Sequence, residues 1–268
     1  MLTGGVILCN CTMKISSIST RNKLRIIFYG IIALVIVYGM IIEPKWIIIR
    51  HIRLHPNSKY RLVHISDIHY KGDKPYLTGI VDRINKISPD FVCFTGDLVN
   101  EKGHLKEALE ILGQIRCPLF GIPGNHEYWS GVPFNDINRA FANTNGSWLV
   151  NQRVLFRNNL EIVGMAGEKY HPLPGKTTAQ KRLLLAHYPV LAETVRPGQF
   201  DLILAGHSHG GQVRFPIIGA LKVPYGVGKY EKGLYKTRAG TLYVNPGVGT
   251  NGICIRIFCR PEITVIKF

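Results

Sequence analysis

The sequence has few acidic residues. It contains 17 Asp and Glu against 33 Lys and Arg, which gives a formal net charge of +16 and an isoelectric point near 9.7. No acidic residue precedes Glu43. This imbalance predicts attraction to a polyanion, which could be phospholipid head groups, nucleic acid or a phosphorylated substrate. Charge alone does not choose among these three.

Cysteine pairs with metal-ligand spacing are also absent. The six cysteines form no CxxC pair and no dense disulfide pattern, so we expect them to be small buried apolar side chains. The sequence has no Walker-type GKS/T motif, internal repeat or low-complexity tract. A hydrophobic content of 46% excludes a disordered chain. A length of 268 residues allows one large domain, or one domain with an appendage.

An uncharged segment lies near the N-terminus. Residues 26–42 contain no charge over 17 positions, close to the shortest length that spans a bilayer, about 17–25 residues. Its continuous apolar pattern argues against an amphipathic core helix, and no small-x-small cleavage site follows it. We predict an uncleaved membrane anchor at 26–43, after a basic N-terminal segment at 1–25. Four basic residues precede the apolar run: Lys14, Arg21, Lys23 and Arg25.

Residues 44–58 are predicted to be a basic connector, and residues 59–268 the main domain. The basic flank before the anchor mildly favours a cytoplasmic N-terminus. If the segment spans the membrane, the main domain would then lie on the outer side of the cytoplasmic membrane. A helix lying in the interface would instead leave that domain in the cytoplasm. The sequence leaves both orientations open.

After Tyr60 the pattern changes to short apolar runs, each of which ends in Gly, Asp, Asn or His. Helical spacing of apolar residues follows at 76–88, 104–115 and 135–143. Alternating strands and helices predict an α/β domain, and the Gly- and Tyr-rich last third, including ICIRIF at 253–258, reads as further β-structure. The runs with their stops are RLVHISDIH, DFVCFTGD, LFGIPGNH, RLLLAH and DLILAGHSH.

Polar side chains with metal-binding atoms follow the predicted strands. In open α/β sheets, ligands gather at the carboxyl ends of strands. Mixed carboxylate, amide and imidazole donors suit Mn, Fe, Zn or Mg, and eight such residues suggest two ions that share a carboxylate. His64, inside the first run, is expected to pack or hydrogen-bond within its strand. The eight residues are Asp67, His69, Asp97, Asn125, His126, His187, His207 and His209.

The order of these motifs resembles that of the calcineurin-like metallophosphoesterases. The resemblance covers about residues 58–268. It implies a four-layer αββα sandwich, here with an N-terminal hydrophobic helix added. The matching motifs are Asp67-Ile68-His69, Gly96-Asp97, Gly124-Asn125-His126-Glu127, His187 and Gly206-His207-Ser208-His209.

The resemblance also implies a role for each residue. Two divalent ions would clamp phosphoryl oxygens and supply the hydroxide that attacks phosphorus. His126 would face the phosphate as an acid or a transition-state stabiliser, without binding a metal. The implied ligands are Asp67, His69 and His209 for one ion, Asn125, His187 and His207 for the other, and Asp97 as the bridge.

The later stretches GHSHGGQVRFPIIGAL, KYEKGLY and LYVNPGVGT resemble one branch of the family. That branch contains small bacterial membrane-associated phosphoesterases, including the UDP-diacylglucosamine hydrolases of lipid A synthesis. It implies an enzyme at the bacterial cytoplasmic membrane that hydrolyses a phosphodiester or pyrophosphate bond in a lipid or nucleotide-linked lipid. Asn245-Pro246-Gly247 stands where branch members commonly carry Arg-Gly, so no arginine contact with phosphate is carried over there.

Two other functions are weighed against this one. A nuclease, or a phosphodiesterase without lipid specificity, would fit the charge. However, no basic stretch is interleaved with aromatics, which disfavours nucleic acid as a partner. A non-catalytic binding scaffold would have lost ligands or the histidine of GNHE, and all eight positions are present. The sequence does not indicate an oligomeric state.

Overall fold

The computed structural model describes residues 19–173 and 177–268. These residues form two compact units, one ending at Ile36 and the other comprising Val37–Phe268. The first 18 residues of the predicted basic segment lie outside the described residues.

A long helix begins the described chain. Helix α1, Thr20–Val37, continues through a π-helical turn at Tyr38–Ile42 and a 3-10 turn at Glu43–Lys45. By length and composition, Thr20–Lys45 could cross a membrane. No side chain of α1 is buried. The predicted anchor therefore lies within a helix, which begins earlier than the sequence predicts.

Between residues 61 and 148 helices separate successive strands, and after that strands predominate. The other helices are α2 Lys74–Ile87, α3 Leu105–Leu112, α4 Asn125–Trp129 and α5 Phe134–Ala142. The strands are β1 Ile48–Arg53, β2 Arg61–Ile65, β3 Phe91–Phe94, β4 Leu119–Gly121, β5 Ser147–Trp148, β6 Gln152–Phe156, β7 Leu160–Met165, β8 Lys181–Ala186, β9 Leu202–Ala205, β10 Arg214–Phe215, β11 Gly219–Ala220, β12 Gly233–Lys236, β13 Thr241–Val244 and β14 Glu262–Lys267.

Two six-stranded mixed sheets make up the body of the domain. The first has the order β1-β14-β2-β3-β4-β5, and β2 to β5 run parallel. The second has the order β12-β13-β9-β8-β7-β6, and its central strands β13, β9, β8 and β7 run parallel. Their short, fully apolar runs suit strands that are covered on both faces. The carboxyl ends of the parallel strands come to one edge of each sheet.

The sheets pack face to face around a shared core. Leu62, Phe91 and Phe120 of the first sheet belong to the same buried cluster as Leu183 and Leu204 of the second. Helices α2, α3 and α5 cover the outer face of the first sheet. In the described chain, the 3-10 segment Pro189–Thr194 and loops cover the outer face of the second. The predicted α/β sandwich is confirmed, with its fourth layer reduced to this segment and loops.

Local sequence signals account for the helices. The Asp73 carboxylate accepts a hydrogen bond from the Tyr76 N–H at 3.2 Å and caps the start of α2. Ser88 adopts a left-handed conformation and ends the helix, as residues at that position commonly do. All three helices predicted between strands are present, and their ends lie within three residues of the predicted bounds.

Three sequence predictions are wrong in detail. Residues 44–58, predicted as a basic connector, contain β1, which pairs in parallel with β14 and is therefore part of the first sheet. The run 253–258, predicted as a strand, is irregular except for a β-bridge at Ile257. Its backbone hydrogen bonds go to two separate segments, so no continuous strand pairing forms. Cys254 is exposed, whereas Cys93 and Cys259 are buried as predicted.

Candidate metal centre

The predicted donor residues meet where strands of the two sheets end. Loops after β2, β3 and β4 of the first sheet and after β8 and β9 of the second supply them. Their carboxylate and imidazole atoms form two groups that share Asp97. The first group is Asp67, His69, Asp97 and His209, and the second is Asp97, His187 and His207, all buried.

The first group is built around His69 and His209. Their Nε2 atoms are 3.2 Å apart. His209 Nε2 lies 3.5 Å from Asp67 Oδ1, and His69 Nε2 lies 3.5 Å from Asp97 Oδ2. Two carboxylates and two imidazoles that converge in this way form a donor set suited to a divalent transition metal.

The second group is built around His187. Its Nε2 lies 3.4 Å from Asp97 Oδ2 and 3.0 Å from His207 Nδ1. The side-chain oxygen Oδ1 of Asn125 is also 3.0 Å from His187 Nε2, which adds the predicted amide donor to this group. Asp97 Oδ2 therefore faces both groups, as a carboxylate that bridges two cations must.

Hydrogen bonds on the far side of three of the four rings fix which nitrogen faces the centre, whereas the buried His209 Nδ1 has no such partner among the described residues. His69 Nδ1 is 2.5 Å from Asn100 Oδ1, and His187 Nδ1 is 2.7 Å from the Thr95 carbonyl. His207 Nε2 is 2.8 Å from the Tyr225 carbonyl. Such bonds fix the tautomer and orientation of metal-binding histidines. The donor set and its surrounding bonds thus fit two divalent ions.

The backbone turns sharply at five of the donor residues. Asp67, His69, Asp97, His207 and His209 all have positive φ values, between 44° and 65°. Such conformations cost of order 1–3 kcal/mol each and gather at functional sites. The resulting turns aim successive side chains from one loop into the same small volume.

Two glycines let these loops approach each other closely. A Cβ atom at Gly206 would lie 1.8 Å from Ser66 Oγ, and one at Gly124 would lie 2.2 Å from Asp97 Oδ1. Any side chain at these positions would displace the loops that carry the donors.

Glu127, for which the sequence analysis assigned no role, holds the loop of Asp97 in place. Its carboxylate accepts hydrogen bonds from the N–H groups of Asp97, Leu98 and Gly124, at 2.9, 2.6 and 2.7 Å. Burial and the nearby charge of Asp97 raise the pKa of Glu127 to about 7. Its place in the GNHE motif was the available sequence signal. Asn100 had no such signal, because among the described contacts it is linked to the site through its bond to His69.

The electrostatics of the centre separate Asp97 from Asp67. Burial alone would raise the pKa of Asp97, but the imidazoles of His187 and His69 outweigh it and hold that pKa well below its usual range. Burial likewise opposes protonation of His187, yet Asp97 raises its pKa to about 9. The pKa of Asp67 rises to about 7, chiefly through burial. Asp97 is therefore the permanently charged carboxylate of the centre.

His126 lies beside the two groups and belongs to neither. Its backbone N–H donates to Asp97 Oδ1 at 2.9 Å, and its ring meets the His69 ring edge-on, with centroids 4.6 Å apart. The ring is half-buried, Nε2 lies 3.4 Å from Asn251 Nδ2, and the exposed Trp129 ring flanks it. This position leaves the imidazole at the entrance, where the sequence analysis expects it to meet phosphate.

Asn245 has a structural role. It is fully buried and donates from Nδ2 to Thr264 Oγ1 at 2.9 Å, while its Oδ1 accepts from the Gly247 N–H at 2.7 Å. The nearby Arg256 is also fully buried, and its guanidinium binds backbone carbonyls, including that of Pro246 at 2.8 Å. Both side chains shape the loop that packs beside Asp67, and neither points at the centre.

The family model for calcineurin-like phosphoesterases matches residues 60–211, more than half of the chain. The chain belongs to this family. Its members use two divalent metals, which agrees with the two donor groups that share Asp97. The protein is a metal-dependent phosphoester hydrolase.

Curated relatives support the same conclusion. The chain is 30% identical to the phosphodiesterase YaeI of Escherichia coli, over 84% of this chain and 89% of that protein. It is 33% identical to a transmembrane protein with a metallophosphoesterase domain from Danio rerio, over 77% of this chain and about half (52%) of that protein. In this chain, Thr20–Lys45 is a candidate membrane span by length and composition.

Among solved structures, the protein TT1561 of Thermus thermophilus aligns with 70% of this chain and 90% of its own, at a TM-score of 0.46 and 12% identity. A similarity this low says nothing about substrate. The family assignment therefore depends on the family model and the curated relatives.

Proposed function

We propose that this metallophosphoesterase hydrolyses a phosphodiester or pyrophosphate bond in a membrane lipid or nucleotide-linked lipid, such as UDP-diacylglucosamine, at the bacterial cytoplasmic membrane. One observation carries the lipid part of the proposal. The last turns of the apolar helix are built into the hydrolase domain, where the buried Glu43 carboxylate accepts hydrogen bonds from the N–H groups of Phe258 and Cys259. The catalytic domain is thus held close to the end of a segment suited to lipid.

In this proposal each donor residue keeps the role that the sequence predicts. Two bound ions would polarise the phosphoryl oxygens and activate water for attack on phosphorus. Asp97 would bridge the ions, and its low pKa keeps it anionic for that purpose. The remaining ligands would be Asp67, His69 and His209 for one ion and Asn125, His187 and His207 for the other.

His126 would act on the leaving group. Its ring lies at the entrance to the centre. Among the described side-chain contacts, the ring forms no hydrogen bond with another imidazole or with a carboxylate. A protonated imidazole there can donate to the departing oxygen as the phosphorus–oxygen bond breaks. Asn251 Nδ2, 3.4 Å from Nε2, would orient the neutral ring by donating to that nitrogen.

The decisive experiment is a substrate screen on the full chain in detergent, with metal analysis of the same preparation. The substrates are UDP-diacylglucosamine, a phospholipid, the soluble diester bis-p-nitrophenyl phosphate and single-stranded DNA. We expect the two lipids to include the best substrate by kcat/KM. His171→Ala is the matched control for variants of the site, because this exposed histidine lies outside both donor groups.

Each other outcome contradicts part of the proposal. Preference for the soluble diester or for DNA would indicate a general phosphodiesterase or a nuclease, the function that the net charge of +16 would otherwise favour. Inactivity on all four substrates, in a preparation that holds two ions, would favour a non-catalytic scaffold. The side of the membrane is open, and protease protection of the domain in sealed vesicles would decide it.

A further inference from the structure

A short hairpin near the centre presents apolar side chains to solvent. Strands β10 and β11 pair antiparallel around a turn, and Ile217 and Ile218 at its tip are 98% and 81% exposed. Leu221, directly after β11, is 69% exposed. Soluble surfaces rarely group large aliphatic side chains in this way unless something covers them. We call residues 214–221 the apolar hairpin.

The base of the apolar hairpin borders the metal centre. A cleft of 420 Å³ is lined by His209 and by residues that include Gln212, Lys222 and Asn251. Further along the chain, the Tyr225 carbonyl contacts His207 Nε2 at 2.8 Å. A molecule that reaches the centre along this cleft passes beside the hairpin.

The apolar hairpin is also connected to the end of the apolar helix. The Arg214 N–H donates to the Ile257 carbonyl and the Ile257 N–H to the Gln212 carbonyl, both at 2.9 Å. One residue earlier, the Arg256 N–H donates to the Gly39 carbonyl at 2.8 Å. We call residues 38–45 the helix foot. The helix foot, the loop at 251–258 and the hairpin are therefore joined by direct backbone hydrogen bonds.

Exposed apolar side chains occur on all three of these segments. The helix foot exposes Ile41 by 65%, and the loop exposes Ile253 and Phe258 by 71% and 60%. Arg260 lies over the half-exposed Trp46 ring at 3.9 Å, an amphipathic pair of the kind that favours the membrane interface. Exposed apolar side chains therefore occur on the hairpin, on the loop that is hydrogen-bonded to it, and on the helix foot that is hydrogen-bonded to the loop.

The charge around this surface favours an anionic partner. Residues 202–261 contain eight Lys and Arg, of which Arg256 is buried, and a single acidic residue, Glu231. That carboxylate is already paired with Arg214 at 2.8 Å. The exposed Lys222 lies directly after Leu221, so a cation adjoins the exposed aliphatic side chains, as in segments that bind anionic membranes.

We propose that the apolar hairpin is a second membrane contact, inserted among the head groups of a bilayer that contains anionic lipid. With Ile253 and Phe258 it holds the cleft to His209 against the bilayer surface, so that a lipid phosphate enters the centre from the membrane. The inference rests on the proposed lipid-directed function, and it adds the surface through which the substrate arrives.

The contact is tested first without reference to activity. Full-length Ile217→Trp is placed in vesicles of phosphatidylcholine with a minority of phosphatidylglycerol, with and without brominated acyl chains. We expect the additional fluorescence, relative to wild type, to be quenched by the brominated lipid. Leu155→Trp is the matched control, because Leu155 is a 43% exposed side chain on β6, at the far edge of the second sheet. Equal absence of quenching at both positions would overturn the inference.

A second measurement links the contact to substrate. The double variant Ile217→Asp, Ile218→Asp is compared with Leu155→Asp. We expect hydrolysis of lipid in these vesicles to fall at least about tenfold, since charged side chains do not enter the bilayer. Hydrolysis of bis-p-nitrophenyl phosphate should not change. Equal loss on both substrates would mean that the hairpin supports the fold or the centre, and would contradict the membrane role.

The outcomes separate the two proposals. If wild type cleaves the soluble diester but Ile217→Trp is not quenched, the membrane contact is wrong and the hydrolase survives. If the Trp is quenched but no lipid is cleaved, the contact is supported and the proposed substrate is wrong. If wild type forms dimers and the double Asp variant is monomeric, the hairpin is a contact between copies of this chain. That result would contradict the inference.

Discussion

At the residue scale, Asp97 and His126 are in contact but occupy different places in the metal centre. Asp97 Oδ2 lies within 3.5 Å of His69 Nε2 and of His187 Nε2, between the two donor groups. His126 touches this arrangement through its backbone N–H and the edge of its ring. Asp97 thus lies between the donor groups and His126 lies beside them, which is why we propose metal binding for Asp97 and proton transfer for His126.

Metal content separates these two roles. We expect Asp97→Asn to lose most activity and to lower the content of both ions, because the amide removes the charge that offsets the repulsion between them. His126→Ala should lower kcat about 10²–10⁴-fold, the usual contribution of general acid catalysis, while its metal content stays at the wild-type level. Elemental analysis and steady-state kinetics on the same preparations measure both effects. Loss of an ion from His126→Ala would contradict the assignment.

The buried His64 makes the folding stability depend on pH. Its Nε2 is 2.9 Å from Thr95 Oγ1 inside the first sheet, as the sequence analysis expects, and burial lowers its pKa from 6.5 to about 3. Between these two values the unfolded chain binds a proton that the folded chain does not. Folding stability therefore falls as pH drops below 6.5, by about 1.4 kcal/mol per pH unit from this group.

His64→Gln should weaken this dependence. The amide can still hydrogen-bond to Thr95 but does not titrate, so the stability lost between pH 7.5 and 5.5 should be smaller than in wild type by about 1.4 kcal/mol. Urea unfolding of the detergent-solubilised protein at both pH values measures the difference. His171→Gln, at an exposed position, is the control and should leave the pH dependence unchanged. An unchanged dependence in His64→Gln would show that its pKa is not lowered in the folded state.

At the scale of elements, the helix foot belongs to the hydrolase domain. Glu43 is 1% exposed, and its carboxylate accepts from two backbone N–H groups of the loop at 258–259. The Cys259 thiol in turn contacts the carbonyl of His209 at 3.3 Å. The helix foot is thus connected through one loop to a predicted metal ligand. Sequence patterns place Glu43 at the end of an anchor and give no sign of this link.

Removal of this carboxylate should loosen the junction. Glu43→Ala leaves the buried N–H of Cys259 and the part-buried N–H of Phe258 without this partner, and an unsatisfied buried group costs about 1–3 kcal/mol. We expect a lower unfolding midpoint and faster amide hydrogen exchange at 257–260. Glu101→Ala removes an exposed carboxylate and serves as the control. Equal exchange in both variants would mean that the loop holds its position without Glu43.

At the scale of the whole molecule, residues from Val37 onward form one compact unit. The preceding helix has no buried side chain, whereas Gly39, Glu43 and Pro44 of the helix foot are buried. The boundary of the folded hydrolase therefore falls inside the predicted anchor.

Two truncations test that boundary. Removal of residues 1–36 should preserve the unfolding midpoint and the hydrolysis of bis-p-nitrophenyl phosphate, because no side chain of the described residues 20–36 is buried. Removal of residues 1–46 deletes the helix foot, including the Gly39 carbonyl and the Glu43 carboxylate, and should lower the midpoint by several degrees. Thermal unfolding and soluble-substrate assays compare the two chains. Equal midpoints would place the boundary further along the chain.

The sequence by itself determined the identity and order of the donor residues and the presence of an apolar helix. Both are local signals, because each donor directly follows a short apolar run and the helix is one continuous apolar segment. Tertiary structure decided which ring nitrogens face the centre, through Asn100, Thr95 and Tyr225. It also decided that β1 joins a strand more than 200 residues away and that the apolar hairpin stays uncovered. These features depend on contacts between distant segments, whose relative position no local pattern specifies.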